Sequence, residues 1–280
     1  MYTGKTISGF LFFTLFTLRL EKWMPPAALL MAAAASTISE ALHTVETGGR
    51  GVLRVREVVG QGAPPLLTLV TVHPWTSLGG GEHNTLHLGR HLAAAGLRAL
   101  TFELNASSAL WGIATSHAAE VQQVVYVARW AERTFGVPVV LLGSSAGAPI
   151  AGSALARLPG AFAYVAVGYT WGGVAMLAFG RHYRPLYACA HPKLFIMGER
   201  DEFTAPETLR RYVGRLAGDE NEVVVVPGVG HFELEHPAYD GEVVDRVVAW
   251  LERRLRERAG AGAATGLPAA ADSRQPECDQ

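Results

Sequence analysis

The chain has 280 residues, 49% of them hydrophobic and 18% charged, with a formal net charge of −1 at pH 7. That is the composition of a globular protein able to bury a sizeable core, and the length fits one large α/β domain with ragged ends or at most two small ones. The charge balance excludes the basic field that would recruit nucleic acid or an anionic membrane surface, and two cysteines, Cys189 and Cys278, make neither a disulfide framework nor a zinc site.

Residues 1–49 read as an apolar extension. "ISGFLFFTLFTL" (7–18) is too short to cross a bilayer comfortably, although it suits a weak membrane association. Three readings stand side by side: a signal-peptide core, an organelle transit region, or an extension upstream of a start at Met24. The compartment therefore stays open between cytoplasm or organelle on one side and a secretory route or membrane anchoring on the other. Truncation before about Glu46 is expected to leave a folded domain.

From residue 50 a strand and helix alternation is legible. "GVLRVREVV" (51–59) alternates like an outer strand, and "PLLTLVTVH" (65–73) is a continuous apolar run, as a strand covered on both faces requires. A helix over 82–96 stops at Gly96; a strand follows at 97–104, then a helix over 116–136 capped by Ser116. Strands are expected at 137–142, 162–169, 193–199 and 221–228, with helices from Ala146, over 205–216 and over 240–257. In the last helix Val244, Val247, Val248, Leu251 and Leu255 share one face. Residues 259–280 are small, polar and Pro/Gly-containing, and read as a disordered tail. Strands separated by helices imply a parallel sheet with right-handed crossovers.

The strand at 137–142 runs into Gly143-Ser144-Ser145-Ala146-Gly147. This fits G-x-S-x-G in one register only, with Ser145 at its centre. A serine on a tight strand-to-helix turn needs small neighbours, because flanking side chains would meet the adjoining strand and helix. The turn lifts the hydroxyl clear of the sheet and points the first helical amides at whatever it attacks. A serine nucleophile needs a base and an orienting acid, and in an elbow arrangement they follow in the order Ser, Asp or Glu, His. "KLFIMGERDEFT" ends a strand at Gly198 and offers Glu199, Asp201 and Glu202; "VVVVPGVGHF" ends the next strand and offers His231. His236 is the rival base, and His87 and His91 stand four apart without the Glu that a zinc-binding H-E-x-x-H would carry.

On these residues, together with "VHPWTSLGGGEHN" after an early strand, the chain resembles the α/β-hydrolase superfamily, as a small serine hydrolase, over roughly residues 50–257. The resemblance implies an α/β fold: a three-layer α/β/α sandwich around a mostly parallel, twisted sheet of about 7–8 strands. It implies a hydrolase cleaving an ester, thioester or related acyl bond of a small molecule, with no metal and no cofactor. Within it Ser145 is the nucleophile, His231 the base and Asp201 the acid, while Gly143 and Gly147 shape the elbow. The backbone amides of Ala146 and Trp75, with Thr76 as the neighbouring alternative, would form the oxyanion hole. His73 and His83 would shape the oxyanion loop by hydrogen bonding. The chain departs from the family at "TFELNASSALWG" (101–112), where relatives write Asp-x-Arg-Gly-x-Gly and this chain has Glu103, Asn105 and Ala106. The segment from Thr170 to Pro192 holds one helix and a connection, too short for a cap domain. A shallow, open site walled by Trp75, Trp171 and Met176 is therefore expected. The same resemblance allows another class of function, a hydrolase-fold protein that binds a ligand with little turnover.

Overall fold

The computed structural model describes residues 37–48, 51–76, 80–104, 118–172 and 175–265. Eight strands form one sheet: β1 (Ile38–Glu46), β2 (Val52–Gly60), β3 (Thr68–Val72), β4 (Arg98–Phe102), β5 (Val139–Ser144), β6 (Ala163–Val167), β7 (Lys193–Gly198) and β8 (Asn221–Val226), in the order β1-β2-β4-β3-β5-β6-β7-β8. β2 runs antiparallel to both β1 and β4, and every pairing from β4 through β3 to β8 is parallel. Parallel neighbours need crossovers, and helices supply them: α1 (Glu82–Ala94), α2 (Ala118–Phe135), α3 (Gly147–Leu155), α4 (Ala175–Ala188) and α5 (Pro206–Val213); the short α6 (His231–Leu234) and α7 (Asp240–Thr265) follow the last strand.

The apolar runs follow from this layering. In β5, Val139 and Leu141 face a core built with α2, α3, α4 and α5, while Val140 and Leu142 face a second core built with α1 and α7. All four are fully buried, so each position of the strand must be apolar rather than every other one. Burying a Leu or Val side chain in this way stabilises by about 1.5–3 kcal/mol. On α7, Val244, Val247 and Leu251 are buried against the second core, and Val248 and Leu255 pack on it partly covered.

Three expectations change. The domain does not begin at residue 50: β1 lies ahead of it and pairs with β2 at nine positions, from Ile38 opposite Gly60 to Glu46 opposite Val52. Most of β1 is exposed, so it carries no apolar alternation to betray it. Its hold is local: Val45 enters the core, and the His43 ring lies 5.1 Å from Trp130 of α2 while its Nε2 bonds Glu57 at 2.8 Å. At the other end α7 continues to Thr265, past the expected start of the tail at 259; residues 266–280 lie outside the described residues, as does the Ser116 cap. The membrane-anchoring reading of the compartment is also corrected. No helix among the described residues is long and apolar enough to cross a membrane, and the stretch 7–18, itself short of the ~20 residues a span needs, lies outside them.

Candidate active site

β5 ends where the chain must turn sharply into α3, and the packing there admits no side chains on the two flanking glycines. A Cβ on Gly143 would sit 2.5 Å from the Cα of Ala148, and one on Gly147 would sit 2.3 Å from the carbonyl oxygen of Val72 at the end of β3. Between them Ser145 has φ 50°, the one non-glycine residue with positive φ among the described residues. Such a conformation costs about 1–3 kcal/mol in a serine and persists only where the surroundings impose it. Here the Ser145 N–H donates to the Val167 carbonyl of β6, and its own carbonyl accepts from the Ala148 N–H.

The strain aims the hydroxyl. Ser145 Oγ is 2.8 Å from Nε2 of His231, and His231 Nδ1 is 2.6 Å from Oδ2 of Asp201. Asp201 accepts the imidazole Nδ1–H, which leaves Nε2 free to accept from the serine hydroxyl. The second Asp201 oxygen, Oδ1, accepts the backbone N–H groups of Phe203 (3.0 Å) and Thr204 (2.8 Å), so the carboxylate is held from two sides. His231 is 1% exposed. Burial alone would lower its pKa, but the bonds and charges of Asp201, and then of Glu235, outweigh it and raise the value to about 9.

The loops that carry these groups are tied by the neighbouring acids. Glu202 accepts the His231 backbone N–H at 2.8 Å, and Glu199 accepts the Gly228 N–H at 2.8 Å. These two acids therefore brace the histidine loop, and neither is the residue on the imidazole. His236 also stays off the serine; its Nδ1 accepts from the Ala238 N–H. His87 and His91 stand exposed on α1, and no cluster of three or more His, Cys, Asp or Glu able to hold a metal occurs among the described residues.

Ser145 and Ala146 open into a cavity of about 420 Å³, a size typical of small-molecule sites. Pro74, Trp75, Phe179, Phe203 and Phe232 share its lining. Trp75 packs on Phe179 of α4 with ring centroids 5.0 Å apart, which sets one wall. Trp171 does not wall the cavity as expected. It is 1% exposed, its backbone N–H donates to the Thr204 hydroxyl, and its ring stacks on Tyr212 at 4.9 Å. Met176 is exposed and also lies outside the lining; Ala175, Ala178 and Phe179 present α4 to the cavity in its place.

His73 fixes the loop after β3. Its Nδ1–H donates to the Pro74 carbonyl, and its Nε2 accepts the Leu104 N–H at 2.9 Å. That bond ties the Trp75 segment to the end of β4. Glu103, where the chain departs from its relatives' pattern, accepts the Glu82 N–H at 2.9 Å and so caps α1. His83 is exposed, and Asn105 and Ala106 lie outside the described residues. Several contributors escaped sequence reasoning. Thr204 and Phe203 owe their place to main-chain amides, which any residue offers. Gly168, just past β6, has φ 59° and places its backbone where a Cβ would stand 3.1 Å from the His231 ring; a glycine directly after a buried strand is a signal that could have found it. Glu235 stands four residues beyond His231, one helical turn, with Oε1 3.3 Å from Nε2.

No protein-family model matches the chain, and no curated protein matches it. Solved structures do. A serine hydrolase homologue from Coxiella burnetii is 21% identical, with a TM-score of 0.58 over 75% of this chain and 96% of its own. A dienelactone hydrolase from Anabaena variabilis is 20% identical, with a TM-score of 0.59 over 77% of this chain and 98% of its own. A serine hydrolase from Xanthomonas campestris, described as lacking a lid, is 20% identical, with a TM-score of 0.55 over 83% of this chain and 97% of its own. The fold is that of the α/β-hydrolases.

Proposed function

We propose that the protein is a serine hydrolase that cleaves an ester, thioester or related acyl bond of a small molecule through an acyl-enzyme intermediate. The observation that carries this reading is the chain of hydrogen bonds from the Ser145 hydroxyl through His231 to Asp201, opening at its serine end into the 420 Å³ cavity. In this mechanism Ser145 Oγ attacks the carbonyl carbon as His231 Nε2 takes its proton. Asp201 holds the imidazole in the required tautomer and stabilises the imidazolium. The oxyanion is met by the amides of Ala146, at the start of α3, and Trp75, on the loop fixed by His73. The imidazolium returns the proton to the leaving group, and water, activated by the same imidazole, releases the acid. Structures that share the fold include a serine hydrolase homologue, an esterase and a dienelactone hydrolase, which supports the acyl-transfer reading.

An apolar wall of Trp75, Ala175, Ala178 and Phe179 suits a short acyl chain, since each CH₂ buried is worth about 0.8 kcal/mol. Specificity constants on p-nitrophenyl esters should peak between acetate and hexanoate, without a jump when the substrate forms micelles. A fluorophosphonate probe tests the central assignment. It should label wild type and Ser144→Ala, and leave Ser145→Ala unlabelled. Turnover should fall about 10⁴- to 10⁶-fold in Ser145→Ala. A folded wild-type protein that takes no label and turns over no ester would leave the binding-protein reading in its place.

A further inference from the structure

The catalytic reading leaves one carboxylate unused. Glu235 lines the cavity, its side chain is 10% exposed, and among the described residues its buried Oε1 has no partner but His231 Nε2 at 3.3 Å, which offers a proton only when the imidazole is charged. The side-chain oxygen of Asn84, which lines the same cavity, is likewise buried without a donor. Buried acceptors left unmatched cost about 1–3 kcal/mol each, so a pair of them beside a reactive serine is a place prepared for something that arrives. The mechanism says which part of the substrate arrives there. Nε2 of His231 is the atom that delivers the proton to the departing group, and Glu235 Oε1 lies 3.3 Å from it. Glu235 therefore faces the alcohol side of the scissile bond.

Its neighbours fit the same task. Phe203 and Phe232 line the cavity with rings 5.7 Å apart, and the Phe203 ring lies 4.6 Å from the imidazole. Aromatic faces attract cations, and Glu235 is the one carboxylate among the described lining residues, accompanied by no lysine or arginine. A cationic alcohol leaving next to an imidazolium would be repelled at a few ångströms; a carboxylate beside both offsets that repulsion.

Building on the serine-hydrolase reading, we propose that this end of the cavity is a leaving-group subsite that selects esters whose alcohol carries an ammonium charge, with Glu235 as the counter-charge. In the step it serves, the bond between the acyl carbon and the alcohol oxygen breaks, and that oxygen takes the proton from Nε2. The cationic alcohol departs, and water later converts the acyl-serine to the free acid and the free serine.

Two butyrate esters of one shape isolate the charge: the 2-(trimethylammonio)ethyl ester and the 3,3-dimethylbutyl ester. In wild type kcat/KM should favour the cationic ester by on the order of tenfold. In Glu235→Gln the ratio should fall to near one, whatever happens to the absolute rates. Choline should also inhibit hydrolysis of p-nitrophenyl butyrate by wild type more strongly than 3,3-dimethylbutan-1-ol does, a comparison that needs no variant. A wild-type ratio at or below one, a ratio that survives in Glu235→Gln, or equal inhibition by the two alcohols would overturn the subsite. If both esters are cleaved alike and Ser145 still takes the fluorophosphonate, only the subsite fails. If neither ester is cleaved and no label is taken, the hydrolase reading fails and the subsite falls with it.

Discussion

Gly147 and Gly152 both lie on α3, and a methyl group added at each should act in opposite directions. At Gly147 a Cβ would stand 2.3 Å from the Val72 oxygen and 2.5 Å from the His73 oxygen, both backbone atoms. Real Cβ atoms do not approach closer than about 3.0 Å, so α3 and the end of β3 would have to separate by roughly 0.7 Å. Overpacking of this kind costs about 1–3 kcal/mol, which in a chain of this size lowers Tm by about 2–4 °C per kcal/mol. The moving parts are the serine turn and the loop that carries Trp75, and a displacement near 1 Å at reacting groups can cost about 10²-fold in rate. At Gly152 the nearest atoms are the Leu186 methyl groups at 3.4 and 3.5 Å and the Tyr164 hydroxyl oxygen at 3.5 Å, ordinary contacts. Gly152→Ala should therefore gain about 0.5–1 kcal/mol of helix propensity and leave activity intact. Circular dichroism melts and kcat/KM on p-nitrophenyl butyrate read both effects. Gly147→Ala with wild-type Tm and activity within twofold would refute the steric account of the elbow.

Four further outcomes are expected. On the serine-hydrolase reading His231 must be neutral to act, and Asp201 and Glu235 raise its pKa to about 9, so kcat/KM should climb through the alkaline range and Glu235→Gln should move that limb to lower pH; a wild-type limb near 6.5 would contradict the contact. The same raised value makes the folded state hold a proton that the unfolded chain releases, so this group's stabilisation is complete below pH 6.5 and fades as pH rises through about 9. Asp240 shifts stability in the same direction: burial raises its carboxyl to about 7 and its Oδ2 has no donor among the described residues, so the folded state is penalised as pH rises towards and past 7, Asp240→Asn should raise Tm more at pH 8 than at pH 5, and an equal change at both would count against it. A chain beginning at Glu46 loses β1 and bares the edge of β2, so it should melt lower or aggregate, whereas one beginning at Thr37 keeps every β1–β2 pair; equal melting curves would show that β1 is dispensable.

The parallel half of the sheet was legible because its strands are covered on both faces and must write unbroken apolar runs, as "VVLLGS" does. Ser145, Asp201 and His231, which the structure joins by hydrogen bonds, were legible because each follows such a run at a turn. β1 was not, since a largely exposed edge strand mixing Glu40, His43 and Thr44 with Leu42 obeys no burial pattern. Trp171 was misread because its type suggests a cavity wall, while its position was decided by Thr204 and Tyr212, partners distant in sequence. Glu235 lay in plain view, but a carboxylate acquires meaning only from what stands 3.3 Å away.

Ser145, Asp201 and His231 follow three different strands, β5, β7 and β8, and 86 residues separate the serine from the histidine. No fragment of the chain ending before residue 231 contains all three groups, so on the serine-hydrolase reading a growing polypeptide would carry an inert serine until most of its length had been made. Completing the site also requires non-local strand pairing, the slow part of folding for such topologies. Acyl-bond cleavage would then report on the register of the C-terminal half of the sheet more stringently than any spectroscopic measure of helix content. Fraying at β8 should silence the protein while α1 and α2 still look native.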